Sequence, residues 1–191
     1  MEGTDIKPGI LKCATGDTGL DLDNIKRIGA MGIAQKETGL PLYVHSDHQE
    51  DVVKRQIDIL LKKGANPEKI IIGHTVMRPE INYLIDILES GCNICMDQWH
   101  CTTKYRSEAI SSLVALCEKG YTDRIVLSMD QYFYTDFGTR NNTGLDLSVQ
   151  EQVKKYDCLF SVIASKFLEA GGRREDWESL VRTNSLRLLD I

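Results

Sequence analysis

Five short apolar runs alternate along this chain with stretches of helical period, and that alternation restricts the fold to a parallel α/β sheet. The runs cover Ile10–Cys13, Leu42–His45, Lys69–Gly73, Cys92–Met96 and Arg124–Met129. They are rich in β-branched residues and lack polar/apolar alternation, as expected of strands covered on both faces. Helices are expected over Leu22–Thr38, Glu50–Lys63, Pro79–Glu89, Lys104–Lys119 and Ser148–Ala170, with a closing helix over Arg174–Leu189. Gly39, Gly64 and Gly91 follow three of them as stop signals, and Pro79 opens one. Five consecutive βα units with no linker between them form a single domain. That count suits either a doubly wound sheet or part of a (β/α)8 barrel.

Four of the runs lead to an ionisable residue: Lys12, His45, His74 and Asp130. A parallel α/β sheet presents the carboxyl ends of its strands to a ligand, so these four residues are expected to converge. A lysine at the end of a buried strand needs a partner or a chemical change, because an ammonium is costly to desolvate. Two chemistries meet that need. Lys12 can form a Schiff base with a carbonyl substrate, or it can be carboxylated and act as an oxygen ligand. In the second case Lys12, His45 and His74 form a set suited to a catalytic zinc with an open position.

Composition narrows the partners. The 191 residues, 42% of them hydrophobic, suffice for one domain with a substantial core. A formal charge of -5 without a basic stripe excludes nucleic acid and anionic membrane on electrostatic grounds and leaves a small molecule as substrate. The polar start Met1-Glu2-Gly3-Thr4-Asp5 does not resemble a secretory signal, and no apolar stretch approaches the roughly 20 residues of a membrane helix, so a cytoplasmic location is expected. Of the six cysteines, five lie inside expected strands or helices as buried thiols do. Cys92 and Cys95 form a CxxC, but in a strand they point to opposite faces, which argues against a zinc site.

Taken together, these phrases resemble the phosphotriesterase family of the amidohydrolase superfamily, from Lys7-Pro8-Gly9-Ile10-Leu11-Lys12 to Thr183-Asn184-Ser185-Leu186-Arg187-Leu188-Leu189. The resemblance implies a partial (β/α)8 TIM barrel over residues 1–191, with five units corresponding to strands four to eight plus a carboxyl-terminal helix. It implies that Lys12 is carboxylated and bridges two divalent metals, with zinc as the expected ion. His45 and His74 would then bind the more exposed metal and Asp130 the more buried one. Asp97, in Met96-Asp97-Gln98-Trp99, would stand behind the ligands and share the catalytic work with Asp130. The implied activity is hydrolysis of a lactone, carboxylic ester or phosphotriester by metal-activated water. Trp99, Tyr132 and Phe133, in the loops after strands seven and eight, would line a partly apolar substrate pocket.

Two departures qualify that expectation. The His-x-His pair that the family places at strand one is absent, as are the first three βα units, so one exposed-metal site and weak or absent hydrolysis are expected of this chain alone. Its open sheet edges imply a homo-oligomer or a missing amino-terminal segment. Gln98 also replaces the family's usual His or Arg beside the acid, which interrupts a proton relay from Asp130. A Schiff-base aldolase using Lys12 and a non-catalytic half-barrel that binds a partner remain as alternatives.

Overall fold

A computed structural model of the protein describes residues 3–5, 7–15, 20–46, 52–99, 106–130 and 157–190. Within them, β1 (Leu11–Ala14), β2 (Leu42–His45), β3 (Ile70–Ile72), β4 (Asn93–Met96) and β5 (Ile125–Leu127) alternate with α1 (Leu22–Thr38), α2 (Val52–Lys62), α3 (Ile81–Glu89) and α4 (Arg106–Glu118). A π turn over Leu159–Ile163 runs into α5 (Ala164–Glu169). The closing helix spans its expected bounds with a π turn in its middle: α6 (Arg174–Glu178) passes through Ser179–Thr183 into α7 (Asn184–Leu189).

All strand pairs are parallel and the spatial order is β1-β2-β3-β4-β5. A doubly wound sheet reverses its strand order at a switch point, whereas a barrel adds each strand beside the last. The sequential order selects part of a barrel. Outward residues Leu42, Val44, Ile70, Ile72, Ile94, Met96, Ile125 and Leu127 pack into one core with the helices. The inward positions Ile71, Cys95 and Val126 form a separate small cluster, joined by Tyr43 and by Leu188 of α7. Cys92 and Cys95 fall in different clusters, as expected of strand residues on opposite faces.

Local chemistry sets the helix ends. Asp21 caps α1 by accepting the Asn24 amide at 2.7 Å, and Gly39 ends it at φ 68° with its N–H on the Gln35 carbonyl. The two sheet edges differ. β5 packs against the Ser179–Thr183 turn and α7, while Lys12 and Ala14 of β1 are exposed and Ile10, Leu22 and Ile33 are exposed apolar residues in and around β1 and α1. The expectation that every strand is covered on both faces therefore fails at β1, where Lys12 and Ala14 leave one face exposed. No helix among the described residues is long and apolar enough to cross a membrane.

Candidate active site

The strands deliver four ionisable side chains to one mouth of the sheet. His45 ends β2, His74 follows β3, Asp97 follows β4 and Asp130 lies three residues beyond β5. Their geometry is a hydrogen-bonded chain. His74 Nδ1 stands 2.9 Å from Asp97 Oδ1, and His74 Nε2 stands 2.6 Å from His45 Nδ1. A carboxylate can only accept, so the network assigns the His74 proton to Nδ1 and makes Nε2 the acceptor facing His45. Asp130 Oδ2 lies 3.6 Å from His74 Nδ1 and accepts the Gln98 side-chain amide at 2.8 Å.

Backbone strain marks the same place. His74, Gln98 and Asp130 have positive φ of 62°, 60° and 47°, conformations that non-glycine residues rarely adopt and that cluster at functional sites. Each is tied down. Thr75 Oγ1 donates to the Cys95 carbonyl behind His74, and the Gln98 amide donates to the Met129 carbonyl. Behind His45, the fully buried Gln56 of α2 joins Ser46 and Thr15 by side-chain hydrogen bonds of 2.7 and 3.1 Å, linking the β1 and β2 loops.

Asp97 is 1% exposed and accepts a second hydrogen bond, from the Tyr43 hydroxyl. Tyr43 and His45 are two apart on β2 and share its inward face. Burial, reinforced by Cys95 and Asp97, pushes the Tyr43 phenol far above its ordinary pKa, so it acts as a donor. Burial also lowers the pKa of His45, assisted by His74 and Lys12, so its imidazole is kept neutral.

Lys12 departs from expectation. It is the second residue of β1 rather than its end, it pairs with Tyr43 while Ala14 pairs with His45, and it is exposed. The Lys12 ammonium therefore keeps its access to water and needs no partner or chemical change on that ground. Its Nζ lies 4.3 Å from the centroid of the Tyr43 ring, a cation–π contact. Trp99 is a second correction. It is 0% exposed, its indole N–H donates to the Met96 carbonyl at 2.8 Å, and its own carbonyl accepts from Arg106. It anchors the β4–α4 loop in the core instead of lining a substrate pocket. Tyr132 and Phe133 lie outside the described residues, as do His48 and His100.

The donor chemistry at the mouth fits a divalent metal. Two imidazole nitrogens face each other, and the carboxylate behind His74 sets its tautomer as carboxylates commonly do for metal-bound histidine. Two nitrogens on one tetrahedral zinc at about 2.0–2.1 Å stand roughly 3.3 Å apart, so the 2.6 Å separation is a hydrogen bond between the rings. Among the described residues no three His, Cys, Asp or Glu side chains form a ready ligand cluster. A groove of about 640 Å³ between α2 and α3, lined in part by Ile57, Leu61 and Tyr83, belongs to the outer helical layer and not to this mouth.

Sequence reasoning located His45, His74, Asp97 and Asp130 but passed over Tyr43 and Gln56. The signal for Tyr43 was its place two residues before His45. Gln56 carried none, since a polar residue on a helix ordinarily faces water.

Comparison with known proteins agrees with this geometry. A model of the phosphotriesterase family matches residues 1–189. An aryldialkylphosphatase of Saccharolobus solfataricus is 33% identical over 143 residues, covering 73% of this chain and 45% of that protein. A phospho-furanose lactonase of Mycoplasmopsis synoviae is 30% identical over 129 residues, covering 65% of this chain and 35% of the relative. In fold, the phosphotriesterase structure from Mycobacterium tuberculosis superposes with a TM-score of 0.83 at 24% identity, over 97% of this chain and 56% of that one. The chain thus spans less than half the length of these two curated relatives.

Proposed function

The chain belongs to the phosphotriesterase family, and from that premise we propose that it carries the carboxyl-terminal part of a barrel hydrolase that uses divalent metal to cleave a lactone, carboxylic ester or phosphotriester. The observation that carries this reading is the convergence of His45, His74, Asp97 and Asp130 from four successive strands on one mouth. The names of the relatives, an aryldialkylphosphatase and a lactonase, support the substrate classes.

His45, His74 and Asp130 would hold metal, with Lys12 joining them as a carboxylated ligand and zinc as the ion. Bound metal supplies polarisation of the scissile carbonyl or phosphoryl group and acidification of the attacking water. The remaining work falls to the chain's own groups. Asp97 fixes His74 with its Nδ1 protonated and its Nε2 lone pair directed into the mouth. Gln98 occupies Asp130 Oδ2 and orients the carboxylate, so that Oδ1 would take the proton of the attacking water. Because Gln98 does not ionise, that proton leaves to solvent from a carboxylate whose side chain is 41% exposed.

The test is hydrolysis of a panel of lactones, aryl esters and phosphotriesters by the purified protein supplied with Zn²⁺ or Co²⁺. The expected result is metal-dependent turnover of at least one class, abolished in His74→Ala and reduced at least about a hundredfold in Asp130→Asn. Turnover that needs no added metal, or that is unchanged in His74→Ala, contradicts the proposal.

A further inference from the structure

Among the described residues of the mouth, Tyr43 touches both Lys12 and Asp97. From β2 its hydroxyl crosses the β3 level and reaches Asp97 beyond β4, while its ring face receives the Lys12 ammonium from β1. The path is open because residue 73 is glycine. A Cβ at Gly73 would overlap the Tyr43 hydroxyl and the adjacent ring carbons, so the Gly73-His74 pair admits the tyrosine and places the imidazole beside it. The Tyr43 and His74 ring centroids are 6.1 Å apart with the planes near perpendicular.

We propose that Tyr43 is a positioning residue: it holds the Asp97 carboxylate in the orientation that keeps the His74 proton on Nδ1 and the Nε2 lone pair directed at His45. Asp97 accepts from Tyr43 on Oδ2 and from His74 on Oδ1, and the Cys95 thiol, hydrogen-bonded to both Asp97 and Tyr43, lies beside them. With the Tyr43 donor present, rotation of the carboxylate would cost a buried hydrogen bond. Without it, the carboxylate can turn and the His74 proton is free to exchange between ring nitrogens. Second partners of this kind typically tune metal affinity by 10- to 100-fold. The consequence for metal affinity rests on the hydrolase reading above, whereas the effect on the His74 tautomer does not.

The experiment is ¹⁵N NMR of the histidine rings in metal-free protein, for wild type, Tyr43→Phe and Gly73→Ala, followed by Co²⁺ titration of each. Wild type is expected to show His74 as the Nδ1–H tautomer. In Tyr43→Phe, which keeps the ring and the Lys12 contact, the His74 signals should move toward a mixture of tautomers, and Co²⁺ affinity should fall about tenfold or more. Gly73→Ala, which keeps the hydroxyl but displaces it, should give the same spectral change. An unchanged Nδ1–H tautomer in folded Tyr43→Phe overturns the proposal, as does a wild type with His74 protonated on Nε2. Tautomer loss in a protein that binds no Co²⁺ sustains the role of Tyr43 and rejects the metal reading. Bound Co²⁺ with unchanged tautomer and affinity does the reverse.

Discussion

His74 donates its Nδ1 proton to Asp97 across 2.9 Å in a setting where both side chains are almost wholly buried. One residue follows β3 and the other follows β4, so this contact joins adjacent βα units at the mouth. It also decides which imidazole nitrogen remains available for a ligand.

Removing the carboxylate leaves the His74 N–H and the Tyr43 hydroxyl without their partner in the interior. Asp97→Ala is therefore expected to lower stability by about 2–4 kcal/mol in urea unfolding at neutral pH. Asp97→Asn, which retains one acceptor oxygen, should lose less. A change in Asp97→Ala no larger than that of an exposed substitution, about 0.5 kcal/mol, would show that the contact is not formed in solution.

Trp99 discriminates between core and pocket. Trp99→Ala should destabilise the protein by about 3–5 kcal/mol, since a fully buried indole and its hydrogen bond to Met96 are lost together. Thermal or urea unfolding checks this. Near-wild-type stability with a raised KM would return Trp99 to the substrate pocket.

The strands and α1 were legible because their determinants are local. The apolar runs and the Gly39 stop act on residues next to them in sequence, and α1 occupies its expected bounds. His45, His74, Asp97 and Asp130 were legible because a parallel sheet sends strand ends to one mouth. Tyr43 was not, because its reach depends on Gly73 and Asp97, distant residues whose relation exists only after pairing. Lys12 was misplaced for a similar reason. Its burial depends on whether that face of β1 is covered, and the hydrophobic run alone carries no such information. Trp99 next to a loop reads as a pocket aromatic until its N–H is seen to satisfy Met96.

Asp176 gives a pH signature away from the mouth. Hydrogen bonds from Arg173 at 2.7 and 2.9 Å, with a weaker one from Thr122, hold its carboxyl below the usual range. The unfolded chain then binds more protons than the folded one between the lowered value and about 3.9, so stability rises with pH through that window. Asp176→Asn should be less stable than wild type above about pH 5, and the gap should close as pH falls through the lowered pKa. A gap that stays constant across the acid range would contradict the assignment.

The buried thiols carry the opposite sign. Burial raises Cys13, Cys92 and Cys117 from 9.0 to about 11. The folded state holds these protons after the unfolded chain has released them. Their contribution is therefore complete below about pH 9 and is lost as pH rises toward 11. Native alkylation at pH 7 followed by peptide mapping should leave Cys13, Cys92, Cys95, Cys117 and Cys158 unmodified, since all five are buried. Rapid labelling of Cys92 and Cys95 would reopen the CxxC as a reactive or metal-binding pair.

The most direct measurement is Co²⁺ titration of the purified protein, followed by absorption spectroscopy, against the His45→Ala/His74→Ala double variant. Expected is saturable binding with the d–d bands and intensity of nitrogen ligation at low coordination number, lost in a double variant whose circular dichroism is unchanged. Equal binding by wild type and a folded double variant, or no binding by the wild type, would contradict a metal centre at this mouth.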